Sequence, residues 1–265
     1  MKLSLIQLLV EGAEPERNFQ RAKKFIEANN ADLILLPETI DFGWTHPYGI
    51  ENALPIPGEA SDFFCDLAKK HSVWICVGLT EREGEKNYNT AILINRQGDI
   101  VLKHRKINLL EVEFPYYEVG AKLEVINTEF GKVGLNICAD NYKEALYLGN
   151  SLAAMGAQII LSPSSWTVSH ELVEGENPYF EKWIGPFSTL AQNHNLIVAS
   201  TTAVGYIIGG PYVGKKMVGK SLVVGPNGLI SEGIQNEFAT ETITIKVELP
   251  NNPLKGEQIS KKLTK

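Results

Sequence analysis

The chain has 265 residues, 44% of them hydrophobic and 21% charged, ordinary values for a globular protein able to build a sizeable core. Its formal net charge of -6, with no positive run denser than Lys103-His104-Arg105-Lys106, argues against a nucleic-acid partner. Three cysteines, Cys65, Cys76 and Cys138, form no CxxC pair and no zinc spacing, so a disulfide framework is not expected and a reducing cytoplasm suits them.

Leu3–Val10 predicts a strand, and the N-terminus enters it with no signal-peptide pattern. Pro15–Asn29 predicts a helix with Phe19, Ala22, Phe25 and Ile26 on one face. Leu33–Leu36 is a continuous apolar run, as expected of a strand buried on both faces. It ends in Pro37-Glu38-Thr39. A loop rich in Gly, Trp, His and Pro follows over 42–58. Ser61–His71 predicts a second helix and Val73–Leu79 a third strand. Asn87–Asn95 and Asp99–Ile107 predict a hairpin about Arg96-Gln97-Gly98. Leu123–Glu129 and Lys132–Ile137 predict another, turning near Gly131.

Val133, Leu135 and Ile137 alternate with Gly134, Asn136 and Cys138, as in a half-buried strand. Turn residues Ala139-Asp140-Asn141 follow, then a helical pattern from Tyr142 to Met155. Gln158–Leu161 predicts a strand that ends in Ser162-Pro163-Ser164-Ser165-Trp166. Pro178–His194 predicts a helix feeding the strand Leu196–Thr202. Trp183–Gly214 has no Asp, Glu, Lys or Arg but many Asn, Thr, Ser and Gly. That fits buried interior and not a membrane span. Val218–Gly225, Leu229–Ile234 and Thr240–Glu248 predict antiparallel strands, with a tight turn at Pro226-Asn227-Gly228. Pro253–Lys265 reads as a polar tail. No linker or repeat divides the sequence, so residues 1–265 are expected to form one domain. Strand–helix units alternating with hairpins imply an α/β fold of mixed sheets with helices outside, in two halves that could pack sheet to sheet.

Three ionisable residues stand out by position. Cys138 lies where a strand gives way to a helical pattern, and free N–H groups and a helix dipole would favour a thiolate there. The plain alternative is a buried structural cysteine. Glu38 ends an apolar strand, the place where sites gather in open α/β sheets; otherwise it is a solvated carboxylate starting a loop. Lys106 shares a strand face with Ile100, Leu102 and His104. If that face points inward, the ammonium needs a carboxylate partner; if the strand is an edge, Lys106 is a surface residue. Together they would make a coherent machine. A carboxylate takes the thiol proton and later activates water. The thiolate attacks an electrophilic carbon and forms a covalent intermediate. The lysine and a backbone N–H stabilise the developing negative charge.

Pro37-Glu38, His104-Arg105-Lys106 and Gly134-Leu135-Asn136-Ile137-Cys138-Ala139-Asp140 resemble, in order and approximate spacing, the Glu–Lys–Cys signatures of the nitrilase, or carbon–nitrogen hydrolase, superfamily. Gly43-Trp44, Ser162-Pro163-Ser164-Ser165-Trp166, Gly219-Lys220-Ser221 and Gly225-Pro226-Asn227-Gly228 extend the resemblance almost end to end. It implies a four-layer α-β-β-α sandwich, Glu38 as general base, Lys106 as transition-state stabiliser, Cys138 as nucleophile and the Ala139 N–H as an oxyanion donor. It implies no metal or organic cofactor, a small-molecule amide as substrate, no membrane, and a homodimer or higher homo-oligomer. It also implies a further glutamate in the loop after the lysine. Glu113 and Glu111 are candidates, and the Glu113-to-Gly120 spacing favours Glu113. True nitrilases usually carry Cys-Trp-Glu at the nucleophile, whereas Cys138-Ala139-Asp140 stands here. The expectation is therefore an amidase acting on a small carboxamide or carbamoyl compound, with a nitrilase or a silent binding homologue as alternatives. Trp44, Tyr48, Tyr116 and Trp166, on long irregular loops, are candidate substrate contacts.

Overall fold

The structure, a computed structural model, describes residues 1–171 and 180–251. The expected tail at 253–265 and the first two residues of the expected helix at 178–194 lie outside the described residues. The first half of the chain supplies β1 (Lys2–Gln7), α1 (Pro15–Glu27), β2 (Leu33–Leu35), α2 (Tyr48–Asn52), α3 (Glu59–His71), β3 (Trp74–Glu83), β4 (Lys86–Ile94) and β5 (Ile100–Arg105). The second half supplies β6 (Val125–Thr128), β7 (Gly131–Leu135), α4 (Leu146–Ala154), β8 (Ile159–Ser164), β9 (Thr167–Val168), α5 (Gly185–His194) and β10 (Ile197–Thr202). It continues through β11 (Val204–Tyr206), β12 (Lys216–Val218), β13 (Leu222–Gly225), β14 (Gly228–Glu232) and β15 (Glu241–Lys246).

Among the described residues these form two six-stranded sheets, β15-β1-β2-β3-β4-β5 and β14-β13-β10-β8-β7-β6, and a small one, β11-β12-β9. Both large sheets are mixed. In the first, β1, β2 and β3 run parallel and β15, β4 and β5 are antiparallel to their neighbours. In the second, β7, β8 and β10 run parallel, flanked by antiparallel β6 and β13.

Period-2 alternation sorts the side chains into layers. Leu5, Leu35, Cys76, Leu93 and Leu102 stand in register across β1 to β5. They share one buried cluster with Leu135, Leu161, Ala199 and Val223, the matching row of the second sheet. The other face of the first sheet, with Ile6, Ile34, Ile75 and Ile92, packs on Ala22 and Ile26 of α1 and Phe64 and Leu67 of α3. The outer face of the second sheet meets α4 and α5. There Gly134 faces Leu152, where an added methyl would lie 3.2 Å from Cδ2. Helix, sheet, sheet and helix give the expected four layers.

Several expectations need revision. Val133, Leu135 and Ile137 are not on a half-buried strand, because Gly134 and Asn136 are covered as well; a small and an amide side chain disguised the second buried face. The charged run Glu81–Lys86 hid the extension of β3 to Glu83, where it turns at Gly84 (φ +60) into β4. The expected helix at 142–155 starts only at Leu146. Tyr142 is extended, with ψ 151, and a 3-10 turn, Lys143–Ala145, intervenes. The expected strand at 218–225 is broken at Gly219 and Lys220, both at positive φ. The short helix α2 and the β11-β12-β9 sheet carried no readable pattern. No helix among the described residues is long and apolar enough to cross a membrane.

Candidate active site

Glu38 is delivered by the end of β2. Leu36 still donates to the Cys76 carbonyl at 2.8 Å. Pro37 has no N–H to continue the ladder. The Glu38 N–H then reaches across to the Ser164 carbonyl at the end of β8, at 3.3 Å, so the residue ties the two sheets together. Gly78 makes room for it. An added methyl there would lie 2.6 Å from the Glu38 Cα. The following residue, Thr39, has φ 44, in the left-handed region.

Lys106 follows directly on β5, which is an edge strand as the plainer reading held. Yet Lys106 is only 1% exposed, because the loop from Ile107 to Gly120 folds over it. Gly120 donates to the Lys106 carbonyl at 2.8 Å. The ammonium donates to Glu38 Oε1 at 2.9 Å and to Glu113 Oε1 at 2.8 Å. Burial opposes its charge, but the two carboxylates outweigh burial and hold its pKa well above the ordinary lysine value. The rest of the basic run is neutralised elsewhere. Lys103 pairs with Glu81, and Arg105 with Glu81 and Glu83.

Glu113 is fully buried and Glu111 is exposed. Besides Lys106, Glu113 accepts from the Trp44 indole at 2.7 Å and from the Leu110 N–H at 2.8 Å. Glu38 accepts from Asn89 at 2.6 Å on Oε1. Its Oε2 is buried and has no hydrogen-bond partner among the described residues. Burial is the main cause of a pKa above the ordinary glutamate value at Glu38, and Glu113 adds to it against the pull of Lys106.

Cys138 opens a single 3-10 turn, Cys138–Asn141, with φ 41. Such strain for a residue with a Cβ persists only where the surroundings impose it, and it gathers at functional sites. The turn is braced from within by the Ile137 N–H to Asp140 Oδ2 bond at 2.9 Å. No helix dipole acts on the thiol, since α4 begins eight residues later. Burial instead pushes the thiol pKa up, and Glu38 adds to this. Lys106 and the Ser165 N–H pull the other way. The balance of these effects favours the neutral thiol, so a base beside it would assist its ionisation.

Cys138 lines a cavity of about 190 Å3. Trp44 and Trp166 line it too, as two of the four candidate substrate contacts, together with Trp183, Tyr142 and Tyr212. Trp166 and Trp183 stack with centroids 4.5 Å apart and planes at 9°. Tyr48 and Tyr116 do not line it. Tyr48 is exposed and borders a larger hollow of about 440 Å3 against α1 and α3, which holds neither Cys138 nor Lys106. Tyr116 packs beside Tyr117 on the first sheet's outer cluster. Of the stretch 166–176, residues from 172 onward lie outside the described residues. No group of three or more His, Cys, Asp or Glu able to hold a metal ion occurs among the described residues.

The family model described as carbon-nitrogen hydrolase matches residues 2–251. The chain belongs to that family. A protein named nitrilase from Pyrococcus abyssi is 30% identical over 261 residues, which span 95% of this chain and 92% of that protein. An omega-amidase of Xenopus laevis is 30% identical over 182 residues, 63% of this chain and 64% of its own length. Among solved structures, an amidase from Nesterenkonia sp. AN1, with acrylamide added to its active-site cysteine, superposes with a TM-score of 0.79. It shares 20% sequence identity, with 93% of each chain covered. That likeness shows the fold.

In this carbon-nitrogen hydrolase a second set of buried polar residues supports the first. His104 Nε2 lies 2.8 Å from Asp140 Oδ2. Asp140 Oδ1 accepts from the N–H groups of Asn108 at 2.7 Å and Ile107 at 3.2 Å. Asp140 thus clamps the segment after Lys106 onto the turn of Cys138. Burial opposes its ionisation, but the bond from His104 and the main-chain donors keep its pKa below the usual aspartate value. Asn141 bonds Asn136 at 3.1 Å and Ser162 at 2.9 Å, fixing the turn to β7 and β8. His104 and Asn136 stood inside the quoted motifs with no role attached, and Asn89 and Asn141 carried no sequence signal of their own.

The same geometry bears on cysteine chemistry. All three cysteines are free. Cys76 is sealed between the sheets. Cys65 is half-buried, and burial and neighbouring aspartates push its pKa up to about 11. Only Cys138 among them lines a cavity with a buried carboxylate and ammonium close by. Iodoacetamide is therefore expected to alkylate Cys138 first, with loss of activity, as mapped by mass spectrometry of the earliest labelled peptide. First labelling at Cys65 or Cys76 with activity kept removes Cys138 as nucleophile.

Proposed function

We propose that the chain hydrolyses the C–N bond of a small carboxamide or carbamoyl compound, releasing ammonia through a thioester on Cys138. The observation that carries this reading is the buried set around Lys106, one ammonium bonded to Glu38 and Glu113 beside a strained cysteine in a small cavity. Glu38, with one oxygen unpartnered, takes the thiol proton, and the thiolate adds to the amide carbon. The resulting oxyanion is met by the Lys106 ammonium and the Ala139 N–H. Glu38 returns the proton to the leaving nitrogen, the C–N bond breaks, and ammonia departs. Water then gives its proton to Glu38 and adds to the thioester. The C–S bond breaks, the thiolate recovers a proton, and the carboxylic acid leaves. Glu113 holds Lys106 in place, and Trp44 and Trp166 shape the cavity for substrate. A panel of short amides with an ammonia readout tests the reading, with Cys138→Ala as the inactive control. No ammonia from any amide would sink it.

A nitrile reading has one observation behind it, the name of the Pyrococcus abyssi relative. Cys138-Ala139-Asp140 weighs toward the amide. In paired assays of butyramide and butyronitrile, ammonia release from the amide is expected to be faster by at least about tenfold, roughly 1.4 kcal/mol of barrier. A nitrile turned over faster than its amide reverses the assignment.

A further inference from the structure

Among the described residues, the side chain of Asn89 bonds to the Glu38 carboxylate and to nothing else. Asn89 lies in β4 and is fully buried. By strand alternation it shares a face with Ala91 and Leu93, which pack between the two sheets. Thr90 turns the other way, to Glu81 at 2.8 Å. The Asn89 Nδ2 donates to Glu38 Oε1 at 2.6 Å, while Oδ1 is buried with no hydrogen-bond partner among the described residues. A leucine would fill this seam without leaving a carbonyl unpaired. The main chain of Glu38 does not depend on the bond, since its N–H is held by the Ser164 carbonyl. The Asn89 carbonyl also accepts from the main-chain N–H of Lys106 at 2.8 Å. One residue thus spans the carboxylate and the lysine.

We infer that Asn89 is a positioning residue for the base: by holding Oε1 it commits Oε2 of Glu38 to proton transfer with the Cys138 thiol. The inference rests on the role proposed for Glu38 and deepens it. The terminal torsion of a glutamate is broad and nearly two-fold, and Lys106, shared with Glu113, supplies one donor only. A second donor on Oε1, arriving from β4, fixes the carboxylate plane and leaves Oε2 unpartnered. Asn89 also tunes the base. Glu38 is faced by Lys106 and Glu113 from β5 and the loop after it, by Cys138 from the turn after β7, and by the Tyr117 and Tyr142 phenols. Burial raises its pKa, while Lys106 and the Asn89 bond lower it. Only the ionised form takes a proton, so losing the bond cuts activity from the acid side.

Asn89→Leu keeps the volume and removes the donor. With the full chain and the best amide, kcat is expected to fall by about tenfold to a hundredfold, the scale of a misplaced base, with KM little changed. The acid limb of kcat/KM should move to higher pH. In Asn89→Asp it should move further, because a second carboxyl then faces Oε1. Thr90→Val, on the opposite face of the same strand, should lose stability in a thermal melt but keep the wild-type kcat and pH profile. A purely structural Asn89 would behave as Thr90 does. An acid limb unmoved in Asn89→Leu overturns the inference while leaving amide hydrolysis standing. If Asn89→Leu does not fold, Asn89→Ser, whose hydroxyl stops a bond short of Oε1, reads the same shift. Absence of ammonia from every amide overturns the amide reading instead. Infrared titration of Glu38, its carboxyl band assigned by loss in Glu38→Gln, then still decides. The band should titrate at higher pH in Asn89→Leu, and an unmoved titration rejects the role.

Discussion

Lys106→Arg is expected to abolish turnover, by at least about a thousandfold or roughly 4 kcal/mol of barrier, in a protein that still folds. The charge is kept, so the pairing with Glu38 and Glu113 is not lost outright. What changes is shape. Lys106 presents one compact ammonium to two carboxylate oxygens at 2.9 and 2.8 Å, and its third N–H remains for the oxyanion. A guanidinium is a planar fork that satisfies carboxylates in pairs, and it would spend its donors on Glu38 and Glu113. The Trp44 ring, 5.9 Å from the ammonium, leaves little space for it to shift. Ammonia release from the best amide, beside a thermal melt, reads both halves of the expectation. Activity within about tenfold of wild type would mean Lys106 does not touch the reacting atoms.

Glu113→Gln is expected to lower the rate by at least about a hundredfold, roughly 2.7 kcal/mol, with Glu111→Gln near wild type. Both substitutions remove a charge and change little volume. Glu111 is exposed, so its charge is screened by water. Glu113 is fully buried and joins Lys106, Trp44 and the Leu110 N–H in one network. A glutamine oxygen in place of Oε1 could still accept from Lys106 and Trp44, but its NH2 would then point a donor at the Leu110 N–H. Removing the charge would also leave Glu38 as the only carboxylate on Lys106, drawing Glu38 toward a tighter ion pair and making it a weaker base. Parallel kcat and KM measurements on the two variants test this. The reverse ranking would move the role to Glu111, and two mild effects would remove it from both.

The sequence disclosed the layers well and the support of the site poorly. Apolar runs such as Leu33–Leu36 and Ile159–Leu161 have only one way to be buried, between two faces, and they read correctly. Glu38, Lys106 and Cys138 were legible because each sits just past a strand end, inside a recognisable motif. Asn89 and His104 were not, because a polar residue inside a strand reads as solvent-facing until the other layer is known. Asp140 was visible as motif but not as a clamp, since its partners Ile107 and Asn108 are main-chain donors that any residue supplies. The false helix start at Tyr142 has the same origin. Local periodicity carries no sign that Tyr142 is drawn to the cavity wall.

The hydrogen bond from Glu38 to Ser164 crosses from one sheet to the other, and the roles divide along that seam. Glu38, Lys106 and Glu113 come from the first half of the chain, and Cys138 and Ser165 from the second. Neither half holds both the proposed base and the proposed nucleophile. On the proposed mechanism, turnover needs the two halves of the one chain to close on each other in register. Severing the chain at an exposed point between Gly120 and Val125 and mixing the fragments would turn recovery of ammonia release into a direct readout of that closure.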